Sequence, residues 1–143
     1  MATQGNSEKL TEIDIRMFLR DNDPDKNLLL DDYEFTPEEI RQAATYAVDY
    51  YNEQPPHIDS YDWDTFPYRW NLLQATAANL LRMASIAYMR NDLDHNSGGM
   101  AIRDQNKYKQ YDAMADKFMD DYKKWVRHIK ISRNTEQGFG IVG

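Results

Sequence analysis

A chain of 143 residues with 41% hydrophobic residues, a net charge of −7 and no cysteine fits one domain that needs neither a disulfide nor a thiolate metal site. The start, MATQGNSEKL, is polar and lacks the basic and apolar regions of a secretion signal, which predicts synthesis in a cytoplasm. The charge is unevenly divided: residues 1–66 hold sixteen acids and five bases, a balance of −11, whereas residues 67–143 hold eight acids and twelve bases, a balance of +4. Opposite charge on two parts of one molecule favours head-to-tail attraction between copies, and heterologous contacts that close make rings. The alternative is two solvated surfaces that differ in sign.

Taken in order, residues 1–10 read as a polar arm. Thr11 is placed to cap a short first helix with Asp14 three residues on, and Leu10, Ile13 and Met17 fall on one face, widened by Ile15, Phe18 and Leu19. The helix breaks at Asp21-Asn22-Asp23-Pro24, because proline lacks a donor and forces the residue before it out of helical geometry. Asp25 to Phe35 is irregular. The strongest start signal follows: Thr36-Pro37-Glu38-Glu39 offers a cap hydroxyl, a proline in the first turn and acids at the positive end of the helix dipole. Ile40, Ala43, Ala44, Ala47, Val48 and Tyr51 then recur at helical spacing until Pro55-Pro56. Residues 54–66 form a loop whose Tyr61, Trp63 and Phe66 fold onto the core, and Pro67 opens the next helix.

Trp70 to Met89 is the segment around which the chain is organised. Fourteen of its twenty residues are apolar and point to every side of a helix, so this segment is expected to be covered all round. Asn71, Gln74, Asn79 and Arg82 interrupt it, which argues against a membrane span. Leu72, Leu73, Leu80, Leu81, Met83 and Ile86 supply its buried area, and four alanines let neighbours approach. Asn96-Ser97-Gly98-Gly99 then forms a turn or short hairpin. A last helix spans about Asp104 to Ser132, with Tyr108, Tyr111, Ala115, Phe118, Tyr122, Trp125 and Ile129 as its packing seam. The predicted organisation is all-α: an arm over 1–10, a bundle of three main helices and a short N-terminal one over 11–133, and an extended tail over 134–143. That tail, NTEQGFGIVG, is rich in glycine yet carries Phe139, Ile141 and Val142.

Few residues suggest chemistry. Asp21, Asp23, Asp25 and Asp32 fall at positions one, three, five and twelve of a calcium-type loop, and Asp92, Asp94 and Asn96 at one, three and five of another. The first has Pro24 and Lys26 where the turn needs freedom and glycine, and the second has Arg103 where a bidentate glutamate belongs, so both read as turn-forming acids. His57, His95 and His128 are isolated, and no nucleophile motif, phosphate loop or dinucleotide fingerprint occurs. The expectation is a non-enzymatic protein without cofactor or metal. Lys123, Lys124, Arg127, Lys130 and Arg133 mark the end of the last helix as a basic face, suited to a protein partner or, alternatively, to nucleic acid.

The succession LLLDDYEFTPEEIRQAATYAVDYYNEQPP, DTFPYRWNLLQATAANLLRMASIAYMRNDL, SGG and a long helix ending in KWVRHIKISRNTEQGFGIVG resembles small virion proteins of tailed bacteriophages that act as head-to-tail connectors or adaptors. It spans about residues 11–143, with another neck, tail or baseplate structural protein of a phage as the alternative reading. The resemblance implies a virion subunit that forms a ring beneath a portal of twelve-fold symmetry, contacts the portal protein, neighbouring copies and a tail or further neck protein, and lets DNA pass as cargo. It implies partner contacts through Lys123, Arg127, Lys130 and Arg133 and through the tail residues Phe139, Ile141 and Val142. A lumen lined by acids would repel phosphate and let DNA slide.

Overall fold

The computed structural model describes residues 9–21, 23, 34–94 and 101–136. Four helices follow one another: α1 (Glu12–Leu19), α2 (Pro37–Glu53), α3 (Arg69–Asp94) and α4 (Ala101–Glu136), so the fold is all-α. α3 is the central element; α2 and α4 flank it, and α1 lies across its beginning.

Both expected capping boxes form. The Thr11 hydroxyl accepts from Asp14 N–H at 3.3 Å while the Asp14 carboxylate accepts from Thr11 N–H at 2.9 Å, and Thr36 and Glu39 repeat the exchange at 3.1 and 2.9 Å. On α2 the six residues of the predicted stripe, Ile40 to Tyr51, are all buried. α1 ends at Leu19, ahead of the aspartate-proline break, because Arg20 turns left-handed at φ 62°. The Asp21 N–H then reaches the Arg16 carbonyl at 2.8 Å.

The inward face of α1 differs from the expected one. Ile13 and Met17 are 71% and 51% exposed, whereas Leu10, Ile15 and Arg16 are buried. Polar chemistry decides the rotation. Arg16 is held by Glu12 and by buried Asp21, each at 2.9 Å, and Asp21 also accepts from Glu34 N–H at 2.7 Å and Phe35 N–H at 3.0 Å. Turning Ile13 inward would pull this guanidinium away from its partners, and breaking a buried ion pair costs about 3–5 kcal/mol.

α3 begins at Arg69, two residues after Pro67. Leu72, Ala75, Thr76, Ala77, Ala78, Leu80, Leu81, Ala84 and Ser85 are buried. Coverage stops at both ends: Trp70 is 57% exposed, and Ile86 and Met89 also face solvent, contrary to the expectation of burial all round. Where α2 and α4 do cover α3, polar side chains tie the layers. Asn79 donates to the Ala43 carbonyl at 2.9 Å, and Arg82 bridges to Asp112 at 2.8 Å and to Asp116.

α4 starts three residues before the expected Asp104 and continues four beyond Ser132, so residues 134–136, assigned to the tail by sequence, are helical. Among the described side chains of α4, from Lys109 on, the fully buried ones are Ala115, Tyr122, Val126 and Lys130, with Tyr111, Phe118, Trp125 and Ile129 half-buried beside them; the side chain of Tyr108 lies outside the described ones. Tyr122 donates to the Ala47 carbonyl at 2.6 Å, which satisfies its hydroxyl inside the core. As expected, Phe66 is buried and Tyr61 and Trp63 pack against the same cluster, so the 54–68 segment closes one end of the bundle.

Candidate interaction surface

The basic stretch of α4 splits into two groups that the helix directs to different places. Lys123, Lys124, Arg127 and His128 are exposed. Lys123 Nζ stands 5.6 Å from the Tyr50 ring, beside a notch of about 160 Å³ that Arg127, Gln54 and Pro55 also line. This group is free to meet a partner.

Lys130 and Arg133 are directed inward, which the charge pattern did not reveal. Lys130 is 0% exposed; its ammonium lies 4.2 Å from the Tyr51 ring, 3.6 Å from Asp59 Oδ1 and 3.3 Å from the Pro56 carbonyl that accepts from it. Asp59 Oδ2 accepts from the Tyr51 hydroxyl at 3.1 Å and the Tyr61 hydroxyl at 3.2 Å. Arg133 Nε is 2.9 Å from the same oxygen, out of line for a hydrogen bond, and its Nη1 donates to the Tyr68 hydroxyl at 3.0 Å. Burial pushes the Lys130 ammonium below its ordinary pKa, partly opposed by the Asp59 charge. Burial, reinforced by Asp59, pushes the Tyr51 phenol far above its ordinary value and keeps it a neutral donor. One carboxylate, two cations and three phenols thus join α2, the 54–68 segment and α4. Lys130 is sealed from solvent, whereas Arg133 is 31% exposed beside the same carboxylate.

A second surface escaped the sequence reading. Leu10, Asp14, Met17, Phe18, Arg69, Trp70 and Leu73 line an open groove of about 590 Å³ between α1 and the start of α3. Phe18 meets Trp70 edge-to-face at 5.9 Å, and also packs on Phe118 of α4 at 5.8 Å. The groove's two charged residues neutralise each other, with Arg69 2.7 Å from Asp14. Exposed large side chains that share a groove mark a contact site more often than scattered ones do. The available signal was the disagreement between Ile13 and Met17 on one side of α1 and Ile15 on another: only one set could face inward.

Asp21 is committed to Arg16 and two backbone N–H groups, while Asp25 and Asp32 lie outside the described residues. Asp92 and Asp94 belong to the last turn of α3 instead of a loop, and Asn96 lies outside the described residues. Among the described residues no group of three or more His, Asp or Glu side chains could hold a metal, and no helix is long and apolar enough to cross a membrane. His57 Nδ1 is 3.3 Å from the Asn52 carbonyl; His95 lies outside the described residues, as do Phe139, Ile141 and Val142. No family model, curated protein or solved structure matches the chain.

Proposed function

We propose that this chain is a structural, non-catalytic subunit of an assembly, and specifically an adaptor that forms a ring at the head-to-tail connection of a tailed phage. The observation that carries the reading is the exposed cationic stripe of α4, Lys123, Lys124 and Arg127, on a bundle whose α2 presents Glu38, Asp49 and Glu53 to solvent. Two such faces on one molecule suit contacts between copies, and heterologous contacts that close generate rings. The order and spacing of the segments from Leu28 to Gly143 add the phage-connector resemblance. In this reading the portal protein, neighbouring copies and a tail-side protein are the partners, DNA passes as cargo, and Phe139, Ile141 and Val142 provide apolar partner contacts.

The nucleic-acid alternative is weakened by the burial of Lys130, which removes one of the five cations it relied on, and by the pairing of Arg133 with Asp59. Electron microscopy of particles carrying a tagged copy tests the proposal. A ring of tag between capsid and tail is expected. A tag elsewhere in the particle removes the adaptor role, and its absence from particles ends the virion reading.

A further inference from the structure

α2 and α4 each turn one stripe of side chains away from the bundle. On α2 it is Gln42, Tyr46, Asp49 and Glu53; on α4 it is Asp120, Lys124, Arg127 and Ile131, and all of these residues are exposed. Both stripes follow steps of four, three and four residues, the spacing of a single helix face. Among the described residues Asp49, Glu53, Lys124 and Arg127 have no ion-pair partner within the chain. Asp49 and Glu53 are like charges four residues apart, and Lys124 and Arg127 three apart, which disfavours each helix taken by itself. A face of the opposite sign relieves both pairs, and each copy carries the face that its neighbour lacks. Tyr46 and Ile131, both more than half exposed, add apolar area to the two stripes.

Two registers set both acids on both bases. Antiparallel helices bring Glu53 level with Lys124 and Tyr46 level with Ile131; parallel helices bring Asp49 level with Lys124, Glu53 with Arg127 and Tyr46 with Asp120. Symmetry chooses between them. Within one chain α2 and α4 run the same way, since Ala47 lies beside Tyr122, Tyr50 beside Lys123 and Pro56 beside Lys130. Successive members of a twelve-membered ring are related by a rotation of about 30°, which leaves helix direction nearly unchanged. We propose that α4 of one copy docks parallel on α2 of the next, with Lys124 on Asp49 and Arg127 on Glu53. This register rests on the ring reading. It sets the Tyr46 hydroxyl, a donor, against the Asp120 carboxylate, and it carries Ile131 past Glu53 to the level of Pro55 and Pro56.

Tyr46 reports the direction. In the parallel register it stands about 1.5 Å along the helix axis from the neighbour's Asp120 and about 15 Å from its Ile131, and antiparallel helices reverse that order. The chain has no native cysteine, so Tyr46→Cys is mixed with a tag-enlarged Asp120→Cys chain, and separately with an enlarged Ile131→Cys chain, leaving all four charged residues in place. The three positions are exposed, and far-UV circular dichroism checks that each variant is folded. Cysteines whose Cα atoms are more than about 7 Å apart cannot join, so mild oxidation at low salt should link Tyr46→Cys to Asp120→Cys about tenfold or more faster than to Ile131→Cys. Added salt should slow that linkage. Faster linkage to Ile131→Cys overturns the register, and so does equal linkage or none. The ring reading fails in a different way: a chain carrying both Tyr46→Cys and Asp120→Cys should give a ladder of linked products that ends in one closed species. A ladder without end keeps the register and removes the ring.

Discussion

The same kinds of side chain have opposite fates on one helix. Lys123, Lys124 and Arg127 stand in solvent, whereas Lys130 and Arg133, a turn or two further on, are drawn into a polar cluster. The difference lies in what passes α4 at each level. Next to Lys123 is the end of α2, which offers a tyrosine ring and little else. Beside Lys130 the 54–68 segment folds across, bringing a carboxylate and a carbonyl within reach of the ammonium, while α2 supplies the ring of Tyr51. A lysine can be sealed from water only where its charge is paired and hydrogen-bonded, and this segment supplies both.

The largest effect is expected from breaking the buried side of that comparison. Asp59→Ala leaves Lys130 and Arg133 without their carboxylate and two tyrosine hydroxyls without their acceptor, so unfolding in urea should show a loss of about 3–5 kcal/mol. Lys130→Met keeps the volume and leaves Asp59 paired with Arg133, so a smaller loss is expected. If Asp59→Ala moved the urea midpoint no further than Lys124→Ala, the cluster would be peripheral to stability.

Alkaline titration tests the same core without a mutation. Tyr51, Tyr111 and Tyr122 all have phenols raised above the ordinary 10.0, chiefly by burial, with Asp59 adding to the effect at Tyr51 and Glu34 at Tyr111. Above pH 10 the unfolded chain releases protons that the folded chain keeps. The unfolded state then binds fewer protons, so stability is full below the unfolded pKa and falls as pH rises toward the folded values. Lys130 acts in the opposite sense: its ammonium is lowered from 10.5, so its penalty is relieved as pH rises through its folded value toward 10.5. Stability should therefore hold or rise slightly up to about pH 10 and decline above it. Tyr122→Phe should make the decline less steep, as read from urea midpoints across the series; an unchanged slope would mean that this phenol titrates alike in both states.

Much of the architecture was legible because it depends on local signals. The Thr36 and Thr11 boxes, the Ile40-to-Tyr51 stripe and the folding of Phe66 onto the core follow from capping chemistry and period. What was not legible depends on partners distant in sequence. Arg16 decides which face of α1 turns inward through Asp21, which in turn grips the backbone of Glu34 and Phe35. Lys130 is internal because of Asp59 and Pro56, more than seventy residues away. The groove at Trp70 is a product of the α1 rotation, so it could not be read before that rotation was known. Apolar content alone told that α3 is central but not where its cover stops.

The smallest effect on folding is expected on the exposed side of the comparison, and it should coincide with a large effect on association. Lys124→Glu with Arg127→Glu changes side chains that project from α4 into solvent, so the urea midpoint should not move. If α4 meets the acidic face of α2 in a neighbouring copy, the same pair of changes replaces attraction by repulsion with Asp49 and Glu53. Self-association measured by sedimentation should then be lost, and a second chain carrying Asp49→Lys and Glu53→Lys should restore it in the mixture but not alone. Screening sets the salt dependence: with a Debye length near 30 Å at 0.01 M and about 8 Å at 0.15 M, unmodified association should weaken as salt is added. Association that ignores both salt and charge reversal would place the contact on apolar surface, with the groove around Met17 and Trp70 as its site, and would separate the two outward surfaces of this bundle by their chemistry.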